Sequence, residues 1–436
     1  MRLLSRLAGT AEAKAFVQPP FWSTSAPMWS SMLGDKERIG NDFTGYVQGA
    51  YKANGVVFAC ISARMFVFTE ARFAWRRLED GRPADLFTDE RLALLRNPWT
   101  NGTTGELLAR MEQDASLAGN SYNALTGVSS NQRIRRLRPD WVTIVTGSPD
   151  DDPYSLDADV LGYLYHPGGR VFASKKPEVL LPSEVAHYSP IPDPEAQWRG
   201  MSWLTPVLSE IEADRAATKH KLQFFKNGAT ANFAITYDKD VGRDDLERLI
   251  DLFKQKHEGT DNAYKTIHLG GGADAKSLSA DLRQLEFKAT QGAGETRIAA
   301  ASGVGAVIAN LSEGLQGSSL NAGNFGAARR RFADGLIRPL WRIAAGALQS
   351  ITPAPDKDTE LWYDDLDVPF LREDAKEAAE IQKAEAETIA NLVREGFTAD
   401  SAVKAVTSGD LRKLEHSGRL SVQLQEPGDQ PAPPQE

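Results

Sequence analysis

Apolar residues first recur at helical spacing after Asn54. Val57, Ile61, Met65 and Phe68 lie four, four and three apart, on one face of a helix that Asn54 is placed to cap. Alternation over Phe73 and Trp75, with Arg72, Arg76 and Arg77 turned outward, predicts a short strand. A short helix over 89–96 ends at Asn97-Pro98, and another runs from Thr104 to a Gly119-Asn120 stop. From Ser121 to Ser189 short apolar runs at 122–125, 141–145, 162–165 and 185–188 alternate with turn chemistry and predict strands.

The pattern changes at Gly200. Thr205 and Pro206 suit a helix start, and Asn227-Gly228 suits its end. About 22 residues give a rod of roughly 33 Å. Val207, Leu208 and Ile211 make one end apolar, and Leu222, Phe224 and Phe225 the other. From Glu212 to Lys221 it carries only alanines and polar groups, so it has no apolar face for a monomer core there. Residues 230–276 read as a small α/β module: a strand at 233–237, an amphipathic helix at 244–257, a strand at 264–269, then Gly270-Gly271-Gly272. A helix over 281–302 is expected to kink at Gly292 and Gly294. The glycine-rich stretch 309–324 reads as a long flexible loop with a function. Helices follow at 325–348, kinked by Pro339, at 372–393 and at 397–406. Residues 1–50 read as an irregular arm and 425–436 as a disordered, proline-rich tail. The fold class is α+β.

Composition narrows the function. The chain has 436 residues, 41% hydrophobic and 25% charged, typical of a soluble globular protein. No stretch reaches the ~20 apolar residues of a membrane helix, and the N-terminus lacks the apolar core of a secretory signal. A net charge of −9 argues against a broad basic DNA-gripping face, though not against a channel past which DNA slides. The single cysteine, Cys60, excludes an internal disulfide framework and reads as a small buried hydrophobe.

Catalytic signals are weak. Gly270 to Ser277 resembles a phosphate-binding loop, but Ala275 stands before Lys276 where that motif has glycine, so a plain glycine-rich turn is favoured. None of the six histidines has metal-ligand spacing, and no G-x-S-x-G occurs. Arg329-Arg330-Arg331 reads as a solvated helix face ahead of a DNA contact. No catalytic residue, metal site or cofactor is expected, and the chain is not read as an enzyme.

A series of local words gives a positive indication. Val56-Val-Phe-Ala-Cys60-Ile-Ser, Arg96-Asn-Pro-Trp-Thr100, Gly119-Asn-Ser-Tyr122, Arg138-Pro-Asp-Trp-Val142 and Glu184-Val-Ala-His187 occur in order. They are followed by Gly200-Met-Ser-Trp-Leu-Thr-Pro206, Phe224-Phe-Lys-Asn-Gly228, Leu282-Arg-Gln-Leu-Glu286 and Phe332-Ala-Asp-Gly-Leu-Ile-Arg-Pro339. In this order and spacing the chain resembles the portal proteins of tailed double-stranded-DNA bacteriophages. It departs from them at Val304-Gly305, where the family often has Val-Pro, and in the Gly292/Gly294 pair.

The resemblance implies an N-terminal arm (1–50), a wing (51–200), a stem helix (201–229), a clip (230–280) and a second stem helix (281–308). Beyond these it implies a tunnel loop (309–324), a wing helix (325–352), a crown (353–424) and the tail. It implies a ring, of twelve copies in this family, at one capsid vertex of the virion, assembled in the host bacterial cytoplasm. That ring would serve DNA packaging, head–tail joining and ejection. Its partners would be double-stranded DNA in transit, the terminase large subunit, the major capsid protein and a head–tail adaptor, with no membrane. Gln316, Ser318, Ser319 and Asn321 are then expected near the DNA, and Lys239, Arg243 and Lys254 on the partner-binding clip. The alternatives are an NTPase using Gly270 to Ser277 and a structural scaffold that conducts no DNA.

Overall fold

A computed structural model describes residues 36–38, 40–79, 81–128, 131–149, 155–169, 176–226, 233–236, 242, 244–245, 247–248, 250–251, 274–277, 287–311, 322–371 and 375–418. The expected strand 264–269, the first residues of the 281–302 helix, most of the 244–257 helix and the tail lie outside them.

Capping chemistry sets the first helices. The Asn54 side chain accepts from the Val56 and Val57 amides and opens α1, Gly55–Phe68. Thr103 and Glu106 form a reciprocal capping box on α2, Thr104–Ala118, and Gly119 closes it at φ +74°. Helix α3, Leu208–Lys226, is entered through a 3-10 turn, Thr205–Val207. Helix α4, Phe287–Ser302, stays helical past Gly292 and Gly294. Gly292 is buried, and α4 packs along α3, so tertiary packing overrides a weak propensity. Helix α5, Ala322–Phe332, passes through a π turn, Ala333–Ile337, into α6, Arg338–Gln349. Pro339 falls in the first turn of α6, where its missing N–H costs little, directly after the wide turn.

The strands are β1 Lys36–Glu37, β2 Arg72–Glu79, β3 Arg82–Phe87, β4 Ser121–Thr126, β5 Arg133–Leu137 and β6 Val142–Gly147. They continue with β7 Asp159–Tyr165, β8 Glu178–Leu180, β9 Val185–Tyr188, β10 Phe233–Thr236, β11 Asp274–Ser277 and β12 Thr359–Asp364. Among the described residues they form sheets ordered β1-β6-β7-β8, β12-β2-β3 and β5-β4-β9, and the pair β10-β11, all antiparallel. Residues 36–50 are therefore not an irregular arm. β1 pairs with β6, and Phe43, Tyr46 and Ala50 are buried.

The chain divides after Phe370 into two compact units. β12 pairs with β2 along its length, Thr359 opposite Arg77 and Asp364 opposite Arg72, so residues 353–370 go with the larger unit and not with the crown expected from 353. The smaller unit is a helical hairpin of α7, Ala375–Arg394, and α8, Ala399–Ser408.

In the larger unit α1 lies against α2 and α4. The Trp341 indole donates to the Phe68 carbonyl at 2.9 Å, fixing α6 to the end of α1. Cys60 is buried, and burial raises its thiol pKa, as a packing role requires. Two words distant in sequence meet at Gly119 and Gly200. A Cβ on Gly200 would lie 2.2 Å from the Gly119 carbonyl oxygen, and one on Gly119 2.4 Å from the Met201 carbonyl carbon. Asn120 seals this contact: its Oδ1 accepts from the Gly200 amide at 2.7 Å and its Nδ2 donates to the Gly200 carbonyl at 2.9 Å.

Candidate assembly and channel surfaces

The paired helices α3 and α4 leave the body side by side. Val207 and Ile211 are buried at the root of α3. Asn54 Nδ2 donates to Asp214 Oδ2 at 2.8 Å, and Arg297 on α4 lies 3.7 Å from Glu210. Beyond Ile211 the helix is open: Ala213, Arg215, Ala216, Thr218, Lys219 and His220 are exposed. Among the described residues, the polar middle seen in the sequence is held by Asn54 at Asp214 and otherwise keeps most of its surface open.

A buried charge cluster holds the foot of α4. Arg64 and Glu112 are 3% and 0% exposed, with Nε donating to Oε1 at 2.7 Å. The Arg64 guanidinium also donates to the carbonyl of Ser302, the last residue of α4, where a cation suits the helix dipole. Glu112 accepts from the hydroxyls of Ser116 at 3.1 Å and Tyr188 at 3.0 Å. Burial pushes the Tyr188 hydroxyl well above its ordinary pKa, which keeps it a donor. With its hydrogen bonds satisfied, this pair locks α1, α2, β9 and the end of α4 into one geometry.

The chain then enters the expected loop. Leu311 donates to the Ala306 carbonyl at 2.9 Å, and Ala309 and Leu311 are buried. Residues 309–311 are therefore anchored to the body, and 322–324 already belong to α5. Gln316, Ser318, Ser319 and Asn321 fall between, outside the described residues, as do Lys239, Arg243 and Lys254 of the expected clip. The Arg329-Arg330-Arg331 run occupies the last turn of α5, with Phe332 beside it buried.

Lys276 stands in β11 opposite Ala234 of β10. A phosphate-binding loop needs its lysine where a glycine-rich turn enters a helix. The end of Gly270 to Ser277 is instead a ladder strand, so both the NTPase geometry and the simple-turn reading fail there. Sequence reasoning missed β11 because Asp274-Ala-Lys-Ser has little strand character. Among the described residues no group of three or more His, Cys, Asp or Glu side chains could hold a metal ion. His187 is packed against the Tyr122 and Tyr163 rings, and its Nε2 lies 3.0 Å from Asn120 Oδ1. Burial lowers its pKa to about 4, so it is neutral at physiological pH and serves packing.

Residues 55–401 match the family described as phage portal protein. The chain belongs to that family. A portal protein occupies a capsid vertex, and this is the setting of the surfaces above. No curated protein matches the chain. Among solved structures, the portal fold matches a chain in the neck of a native gene transfer agent particle computed with C12 symmetry. That match has 22% identity, a TM-score of 0.55, and covers 83% of this chain and 92% of that one. A chain from the virion of a native gene transfer agent particle gives 23%, 0.56, 85% and 93%. The crystal structure of an HK97-family phage portal protein from Corynebacterium diphtheriae gives 14%, 0.50, 74% and 96%.

Proposed function

We propose that copies of this chain close into a ring at one capsid vertex. Double-stranded DNA is packaged and ejected through that ring, and the tail is joined to it. The observation that carries this reading is the α3/α4 pair. It is anchored at its root by buried residues and a buried ion pair, yet leaves the middle of α3 exposed. Such a helix needs further surface, and neighbouring copies together with a water-filled channel supply it. The similar neck structure computed with C12 symmetry supports a ring, and twelve is the number we adopt.

In this ring α3 and α4 are the stem, and the β10-β11 module is the clip that meets the terminase large subunit and later a head–tail adaptor. Residues 312–321 are the tunnel loop, with Gln316, Ser318, Ser319 and Asn321 near the DNA. The β-rich body is the wing that borders the major capsid protein, and 371–418 the crown. Assembly takes place in the host bacterial cytoplasm, and the chain hydrolyses no nucleotide. Electron microscopy of the purified full-length chain tests this. Closed rings near half a megadalton are expected, and a monomer at micromolar concentration with no rings would overturn it.

A further inference from the structure

Helix α1, sequence GVVFACISARMFVF, carries only two polar side chains, Ser62 and Arg64, and both are buried. Val57, Cys60, Ile61, Arg64 and Phe68 form its buried side. Gly55, Ala59, Ala63 and Phe66 fall on the opposite side at 100° per residue, with Phe58 on their flank. Phe58 is 52% and Phe66 64% exposed. Between Lys52 and Glu70 the only charged residue is Arg64, and it is buried, so the outward face carries no charge. Its N-terminal end adjoins a half-open pocket of about 380 Å³ that is apolar on the side of Phe43, Val47, Tyr51 and Leu117 and charged on the far side, at Asp114, Arg136 and Arg138. The Tyr51 and Phe58 rings, 5.4 Å apart, make the two continuous. A helix apolar all round is ordinarily buried, and an exposed apolar patch marks a binding surface.

The chain contains a segment of matching chemistry. Residues 15–34, AFVQPPFWSTSAPMWSSMLG, include no charged residue, four aromatics (Phe16, Phe21, Trp22 and Trp29) and three prolines. Aromatic side chains give large contact area for few rotors, and prolines reduce the ordering cost of docking. The segment joins the described chain at Lys36, seven residues before Phe43 in the pocket wall. Ten extended residues reach roughly 33 Å, more than the about 21 Å length of α1.

We propose that residues 15–34 dock in cis on the outward face of α1, placing an aromatic side chain over the Gly55-Ala59-Ala63 floor between Phe58 and Phe66. This concerns a single chain and stands independently of the portal reading. The test uses the full-length chain with Cys60→Ala and Ala59→Cys, combined in turn with Ser23→Cys, Ser25→Cys, Ser30→Cys or Ser31→Cys, under mild oxidation at high dilution. At least one pair should form an intrachain disulfide about tenfold faster than a control pairing Ala59→Cys with Leu156→Cys. No pair exceeding the control overturns the proposal, and so does a disulfide joining two chains, which would assign the face to a second copy. Chymotrypsin gives an independent reading on the native sequence. Cleavage within 15–34 should be about tenfold faster in Phe58→Asp/Phe66→Asp than in the parent, and equal rates overturn the docking.

Discussion

Two ion pairs show how burial decides what a residue contributes. Arg64 and Glu112 are buried, and removing the guanidinium strands a carboxylate without its partner. Arg64→Ala is expected to cost about 3–5 kcal/mol, read as a large drop in thermal midpoint. Arg72 and Asp367, 71% and 65% exposed, form a similar pair in solvent, and Arg72→Ala should cost no more than about 1 kcal/mol. A comparable loss in both variants would contradict the locking role of Arg64. The pH dependence carries a sign as well. The folded pKa of His187, about 4, lies below its ordinary 6.5 because burial disfavours the cation. The unfolded chain therefore binds the extra proton first, and stability is lost as pH falls from 6.5 toward 4. Asp114 acts in the opposite sense over part of that range. Burial raises it to about 6 against the pull of Arg136, so its protonation favours the folded state. His187→Gln should flatten its own acid limb, a result to be read as the difference between parent and variant melts across pH 4–7. Neither network was legible in the sequence, because Arg64, Glu112, Tyr188 and Ser302 are far apart along the chain and individually unremarkable. The words Gly119-Asn120 and Gly200-Met201 were visible, but not that they touch. A methyl at position 200 would strike the Gly119 carbonyl, so Gly200→Ala should lower the yield of folded protein more than Gly305→Ala, where the space is open.

Elements were legible where caps and periodicity agreed. α1, α2, α3, β4, β7 and β9 follow from Asn54, the Gly119-Asn120 stop, Pro206 and the apolar runs, although the Thr103/Glu106 box that caps α2 was not read. β5 was not, because Arg133-Ile-Arg-Arg-Leu turns only Ile134 and Leu137 into the core and reads as a charged loop. The chain stays helical through the glycines of α4, which packs along α3, and a π turn, itself a common site of bending, precedes Pro339. The exposed middle of α3 yields a prediction at this scale. Ala216 is exposed, so Ala216→Trp should leave the melt of the single chain within about 0.5 kcal/mol. In a ring the same bulk would stand where a neighbour approaches, and the fraction of closed rings in micrographs should fall severalfold. Normal rings would move the assembly surface away from α3.

At the scale of the whole molecule the order of words was enough to place the chain in its family, whereas the partition of the C-terminal third needed the pairing of β12 with β2. The proposed channel makes one demand on the loop: contacts multiplied round a ring must stay weak, since each phosphate neutralised adds counterion-release affinity. Gln316→Arg with Ser318→Arg should slow ejection, and added salt should relieve the defect. Unchanged ejection kinetics would remove 312–321 from the DNA path. The sheet β12-β2-β3 has a further consequence, for biosynthesis. Arg76 and Glu360, bridged across β2 and β12, are 284 residues apart. At 5–20 residues per second the ribosome takes between roughly 15 and 60 s to cover that distance. Throughout that interval β2, with Phe73 and Trp75, leaves the ribosome with one edge unpaired, a template for strand addition by other nascent chains. The sheet closes only when residues 359–364 have emerged, so this part of the body is completed late in synthesis, and until then the open edge of β2 is where a nascent chain is exposed to aggregation.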